Sequence, residues 1–329
     1  MHSRVRNNAE LLDLDIEPFP NKLMQASGDD GEAVCYLCLD GGVDDSAGQP
    51  LRRDCACRGS DAGFVHLSCL ADYAATKSEQ SHGMIDFVKP WAACPGCHQE
   101  YQNELAIDIA NKFVSFVRRQ YPDDTQRQVE SLYVKLSAFE SINRLKPVQK
   151  REAGVTANVL LSMIDRMKNE SPLTRRYSFF EANAHNAHGR IALQEGTEES
   201  ARRAVTHFDN VLEVHELIGD DEGIATAKAN IAIAKSKYEG GSNEEVLKAS
   251  EELYKVRAAE LGEQNELTIH AGRNYAIDLH NANRRDEARE LLVKLLATSK
   301  QVLGPHHNTT MEVELALNRQ CTQLGIGRF

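Results

Sequence analysis

The chain has 329 residues, 41% hydrophobic and 6% aromatic, and its 38 Lys and Arg face 49 Asp and Glu for a formal charge of −11. That length fits about two domains, and 26% charged residues with 21 Gly and 9 Pro exclude a collagen-like or wholly disordered chain. The acidic balance argues against a general nucleic-acid binder, which needs cations opposite phosphates. No apolar run reaches the roughly 18 residues of a membrane span.

Residues 1–30 are polar and acidic, the composition of a disordered segment. Met1 to Pro20 lacks the apolar stretch of a secretory leader, so a reducing compartment is expected, cytoplasmic or nuclear. Residues 31–101 hold seven of the eight cysteines; the eighth is Cys321. They fall in the pairs Cys35-Tyr-Leu-Cys38, Cys55-Ala-Cys57, His66-Leu-Ser-Cys69 and Cys94-Pro-Gly-Cys97. Clustered thiols in a reducing compartment read as metal ligands before disulfides. Four pairs supply eight ligands, enough for two tetrahedral zinc ions. Spacing alone allows two pairing schemes, sequential or interleaved. So short a segment buries little apolar surface unaided, and each structural zinc adds on the order of 10–16 kcal/mol of folding energy. Eight basic against sixteen acidic residues fall in 1–101, and seven thiolates outweigh two divalent ions. The loaded finger would therefore attract a basic partner surface.

The stretches Cys55-Ala-Cys-Arg-Gly-Ser60, Val65-His-Leu-Ser-Cys-Leu70 and Cys94-Pro-Gly-Cys-His-Gln-Glu-Tyr101 resemble a RING-CH zinc finger. The resemblance implies interleaved, cross-brace pairing. Cys35, Cys38, His66 and Cys69 would hold the first zinc, and Cys55, Cys57, Cys94 and Cys97 the second. It also implies a ubiquitin-conjugating enzyme as partner, with the finger holding the charged ubiquitin in a reactive pose. Such a ligase positions groups that already exist and contributes no catalytic residue of its own. The apolar contacts expected at the knuckles are Leu37, Trp91 and Pro95, flanked by Tyr36; the alternative is that Leu37 and Trp91 pack the finger's own core. The plant homeodomain finger shares the ligand order, but its tryptophan stands two residues before the seventh ligand, and Trp91 stands three before Cys94. Two positions depart from the RING-CH pattern: Tyr73 stands where Trp is usual, and His98 where many RING ligases carry a basic residue.

From residue 102 onward the pattern becomes helical. Leu105, Ile109, Phe113, Phe116 and Val117 mark one apolar stripe over 102–170, a helical linker or degenerate repeats. Over 171–329, Leu261-Gly262 recurs as Leu303-Gly304, and Thr226, Thr268 and Thr310 share one offset. Ala204/Phe208, Ala249/Leu253 and Ala288/Leu292 repeat a small residue followed four later by a bulky one, and Gly189 suits close packing. Ser171-Pro172 and Ser242-Asn-Glu-Glu245 are helix-start signals. These features resemble tetratricopeptide repeats, in particular the longer repeats of kinesin light chains. That implies an α-α solenoid whose groove grips a protein or peptide substrate, with Asn230 and Asn274 as candidate backbone clamps.

His215-Glu216 lacks a second histidine four residues on, so it is no metalloprotease helix. His185 and His188 share a helix face without an assignable third ligand, and His306-His307 falls in an inter-repeat loop. The expected protein is thus mainly α: a small two-zinc RING-like finger followed by a tetratricopeptide-like solenoid. Two functions fit it, a ubiquitin ligase whose solenoid recruits the substrate, or a non-catalytic adaptor.

Overall fold

Small residues at helix crossings and an aromatic cluster beside the finger dictate two separate cores. The computed structural model describes residues 34–41, 43–44, 49–52, 64–140, 142, 145–170, 172, 174–238 and 243–323. The chain is mainly α and divides into two compact units, one ending at Arg166 and the other running from Met167 to the C-terminus. Cys55, Cys57, Ser171, Ser242, Gly240 and the disordered segment expected at 1–30 lie outside the described residues, as does the side chain of Cys321.

The first unit opens with a short antiparallel hairpin, β1 (Val43–Asp44) and β2 (Gln49–Pro50), paired Val43 to Pro50. Arg52 then bridges Val65, which delivers His66 to the start of α1 (Leu67–Glu79). Leu70, Ala74 and Ser78 form the buried stripe of α1, the i, i+4, i+8 spacing of one helical face. α2 (Met84–Ala92) turns Phe87 and Trp91 inward. Next come α3 (Asn103–Gln120), α4 (Thr125–Glu140) and α5 (Pro147–Glu170). The stripe of Leu105, Ile109, Phe113, Phe116 and Val117 on α3 is buried, and α3 packs on α1, α2 and α4.

The meeting point is an aromatic cluster. Trp91 stacks on Phe113 with centroids 5.0 Å apart and rings 17° from parallel. Phe87 meets Tyr121 edge-on at 5.5 Å. The Arg127 guanidinium, 4.9 Å from the Phe87 centroid and 4.6 Å from that of Tyr121, closes the cluster. Trp91 Nε1 donates to Ser78 Oγ at 2.7 Å, and that hydroxyl donates to the Phe87 carbonyl at 2.6 Å, so the indole is buried with its one polar atom satisfied. An ion pair from Arg52 to Asp108, 2.9 Å, ties the finger's strand region to α3. One core therefore runs across residue 101, and the finger's helices are half of it.

The second unit carries α6 (Arg175–Leu193), α7 (Glu198–Ile218), α8 (Asp221–Lys235), α9 (Asn243–Leu261), α10 (Glu266–Asn281), α11 (Arg285–Val302) and α12 (Asn308–Gln323). Each helix packs on the next, and α10 also meets α12, the serial pattern of stacked helical hairpins. Alternate helices also touch: Asn230 Nδ2 on α8 donates to Asn186 Oδ1 on α6 at 3.2 Å. Gly189 on α6 allows α7 to approach so closely that a Cβ there would lie 2.4 Å from Phe208. The odd-numbered helices α7, α9 and α11 end at Gly219, Gly262 and Gly304, with φ of 62°, 87° and 94°. This left-handed conformation is open to glycine at no steric cost, which is why Leu-Gly recurs. Thr226, Thr268 and Thr310 are all buried.

The helix starts are only partly those read from the sequence. Thr197 and Ser200 form the capping box of α7. Asn265 accepts from Leu267 N at 2.9 Å, and His307, one repeat later, accepts from Thr309 N at 3.2 Å. His307 is thus a cap, and His215 is a tie: its Nδ1 lies 2.7 Å from Asp220 Oδ2 in the turn after α7.

Candidate metal centre

Two copies of one backbone turn build the described part of the finger. In the first, Cys35 N donates to Asp40 O at 2.8 Å and Leu39 N to Cys35 O at 2.8 Å; in the second, Cys94 N donates to Gln99 O at 2.8 Å and His98 N to Cys94 O at 2.9 Å. Antiparallel bridges close both turns, Val34 to Gly41 and Ala93 to Glu100. The residue after the second cysteine is left-handed in each, Leu39 at φ 66° and His98 at φ 61°. Two Cys-x-x-Cys segments that share no side chain between their cysteines therefore fold alike.

The first turn meets the start of α1. His66 and Cys69, one helical turn apart, lie on the same face. The ligand atoms of Cys35, Cys38, His66 and Cys69 all lie within 4.8 Å of one another, the one such group among the described residues. His66 Nδ1 is 3.3 Å from Cys38 Sγ and 3.7 Å from Cys69 Sγ, so Nδ1 faces the sulfurs. The backbone N–H of His66 donates to Cys35 Sγ at 3.4 Å.

Burial works against the Cys35 thiolate, but the N–H groups of Cys38, His66 and Leu37 outweigh it and bring the thiol down to about 7. Burial, with Cys38 and Cys35 beside it, pushes Cys69 up to about 12. Three thiols this close cannot all ionise without a cation among them. A soft divalent ion removes that conflict, and three sulfurs with one imidazole nitrogen are the donor set of tetrahedral zinc. The residues present fit a zinc-binding finger.

The second expected group is described only in part. Cys94 is buried and Cys97 half-buried at the second turn, while Cys55 and Cys57 lie outside the described residues. The three apolar side chains expected at a partner surface divide. Leu37 and Pro95 are half-buried on the two knuckles. Trp91 is 1% exposed, so it is a core residue of the finger and not a contact surface; the Ser78 hydroxyl and the aromatics of α3 supply the partners that draw it inward. Among the described residues of the finger, the exposed large apolar side chains are others: Val34 at 39%, Leu39 at 74% and Ile85 at 52%. Leu39 sits in the left-handed turn that follows the knuckle, and Ile85 lies on the α2 face opposite Phe87 and Trp91.

A comparison with protein families gives this geometry its name. Residues 35–97 match the RING-variant domain. The RING-variant finger is thus joined to helical repeats. No curated protein matches the chain. Among solved structures, BtubC (BKLC) from P. vanneervenii is similar at 17% identity and a TM-score of 0.48, covering 68% of this chain and 84% of its own. A putative kinesin light chain from Podospora anserina with nearly identical TPR-like repeats is similar at 13% identity and a TM-score of 0.37, covering 71% of this chain and 95% of its own. No described helix is long and apolar enough to cross a membrane.

Proposed function

We propose that the protein is a RING-variant ubiquitin ligase that holds two zinc ions, binds a charged ubiquitin-conjugating enzyme with its finger and recruits a substrate protein or peptide through its helical repeats. Cys35, Cys38, His66 and Cys69 hold the first ion; Cys55, Cys57, Cys94 and Cys97 hold the second. Reduced thiolates of this kind fit a cytoplasmic or nuclear setting. The observation that carries the ligase reading is the pair of matched knuckles, each with a half-buried apolar side chain, Leu37 or Pro95, the first followed by the exposed Leu39. The finger adds no nucleophile and no general base. Its contribution is to limit the orientations of a thioester already formed on the partner.

A second reading, the non-catalytic adaptor, is favoured by two observations. Burial of Trp91 removes an aromatic from the surface, and His98 is a weak substitute for the cation that follows the last ligand in many RING ligases. The two readings separate in one experiment. The zinc-loaded full chain is mixed with a panel of ubiquitin-charged conjugating enzymes, and discharge is followed with Leu37→Ala, Pro95→Ala and Leu39→Ala alongside. The ligase accelerates discharge, and the variants lose acceleration while retaining zinc. No acceleration by any enzyme, with zinc intact, leaves the adaptor.

A further inference from the structure

Three histidines meet between the first two helices of the repeat unit, outside the finger. His185 and His188 lie one turn apart on α6, and His207 comes from α7. His185 Nδ1 is 3.4 Å from His207 Nδ1. His188 stacks on His207 with centroids 5.0 Å apart and rings 21° from parallel. A neutral imidazole carries one N–H and one lone pair, so two facing Nδ1 atoms either share one proton or both direct lone pairs at a cation.

The spacing matches the second arrangement. Two nitrogens held at ~2.0–2.1 Å by one tetrahedral zinc stand about 3.3–3.4 Å apart. The surroundings also favour it. The rings are half-buried, and the groups that act on His207 are His188, His185 and Arg203, each of which disfavours its imidazolium. Burial lowers His188, and burial with those three neighbours brings His207 down to about 4, so the His207 ring is held neutral at neutral pH. Imidazoles without thiolate or carboxylate suit the borderline divalent ions, zinc among them.

We propose that His185 and His207 form a second class of metal site, an exchangeable zinc site bridging α6 and α7, with water completing the shell and His188 as its stacked wall. A metal there pins the first helical hairpin of the repeats. Two imidazoles bind more weakly than the finger's three thiolates and imidazole, so the site fills only when free zinc rises.

The test uses the untagged full chain, loaded with zinc and then dialysed so that only tightly held metal remains. Zinc chloride is titrated in by calorimetry at neutral pH, and the melting of helix is followed by circular dichroism with and without the added zinc. The expected result is one further equivalent of zinc and a raised melting temperature. Both are lost in His207→Ala and in His185→Gln and kept in His82→Gln, an exposed histidine of the other unit. His185→Gln keeps a polar side chain of similar reach and serves if His207→Ala does not fold. No further equivalent, or an equivalent unchanged in both cluster variants, overturns the proposal and leaves a proton shared between two neutral rings.

Discussion

Leu39 and His98 stand outside the expected ligand set, yet they shape both knuckles, because each holds a left-handed backbone that an L-residue resists by about 1–2 kcal/mol. Metal binding on the order of 10–16 kcal/mol per site readily over-determines such a strain. Leu39→Gly should therefore stabilise the zinc-loaded finger by about 1 kcal/mol, and Leu39→Val should destabilise it. Both are read from thermal unfolding followed at Trp91, the chain's single tryptophan. The ligands themselves were legible because a two-residue gap between cysteines has few uses. The direction in which Trp91 points was not, since a lone indole before a knuckle suits a surface or a core, and only Ser78, thirteen residues earlier, and the aromatics of α3 decide. Arg257 was equally unreadable: it is 1% exposed, pairs with Glu222 at 3.1 Å and donates to the Leu267 carbonyl at 3.2 Å. Truncating one partner leaves the other charge buried. Arg257→Ala should cost about 3–5 kcal/mol, measured by urea unfolding, and Arg257→Leu with Glu222→Leu should recover much of that loss.

At the scale of helices, the repeat was legible at its glycines and obscured at its starts. A left-handed helix end at Gly219, Gly262 and Gly304 admits few residues, so sequence and structure repeat together. A helix start accepts many side chains: Thr197, Asn265 and His307 all cap, and a histidine there reads as loop. The asparagines of the even-numbered helices, Asn186, Asn230, Asn274 and Asn318, repeat at a slightly longer interval than the glycines, so the two patterns drift out of register. Asn230 and Asn274 are buried, and Asn230 is engaged with the neighbouring helix. Helix contact rather than a ligand accounts for the position of Asn230. Close approach of α6 and α7 rests on Gly189. A methyl group there must displace the Phe208 ring, and overpacking of this kind costs about 1–3 kcal/mol. Gly189→Ala should lower the helix-melting midpoint accordingly, and Gly189→Ala with Phe208→Leu should restore part of it.

At the scale of the whole molecule, the finger's metal ligands are coupled to the helices of their own unit and not to those of the repeats, by the chemistry of the two cores. The stripe on α3 announced that Leu105 to Val117 faces something apolar; nothing in a periodicity names the partner, so a boundary near residue 101 looked natural. The partner is the finger's own pair, Phe87 and Trp91, and Trp91 stands three residues before Cys94. Losing the knuckle that holds Cys94 thus releases the indole on which Phe113 stacks. The repeats instead bury aliphatic and alanine side chains such as Ala225, Ala229, Leu253 and Ala271 around α8 to α10, whose packing requires no ion. A chelator strong enough to strip the finger should shift Trp91 emission to the red and remove the helix signal of α1 to α4 in the same step. The helix signal of α6 to α12 should persist and melt at its own temperature. Loss of zinc with Trp91 emission unchanged would mean that the aromatic cluster holds α1 to α4 without the knuckles, and that the finger is an appendage of the helices rather than half of their core.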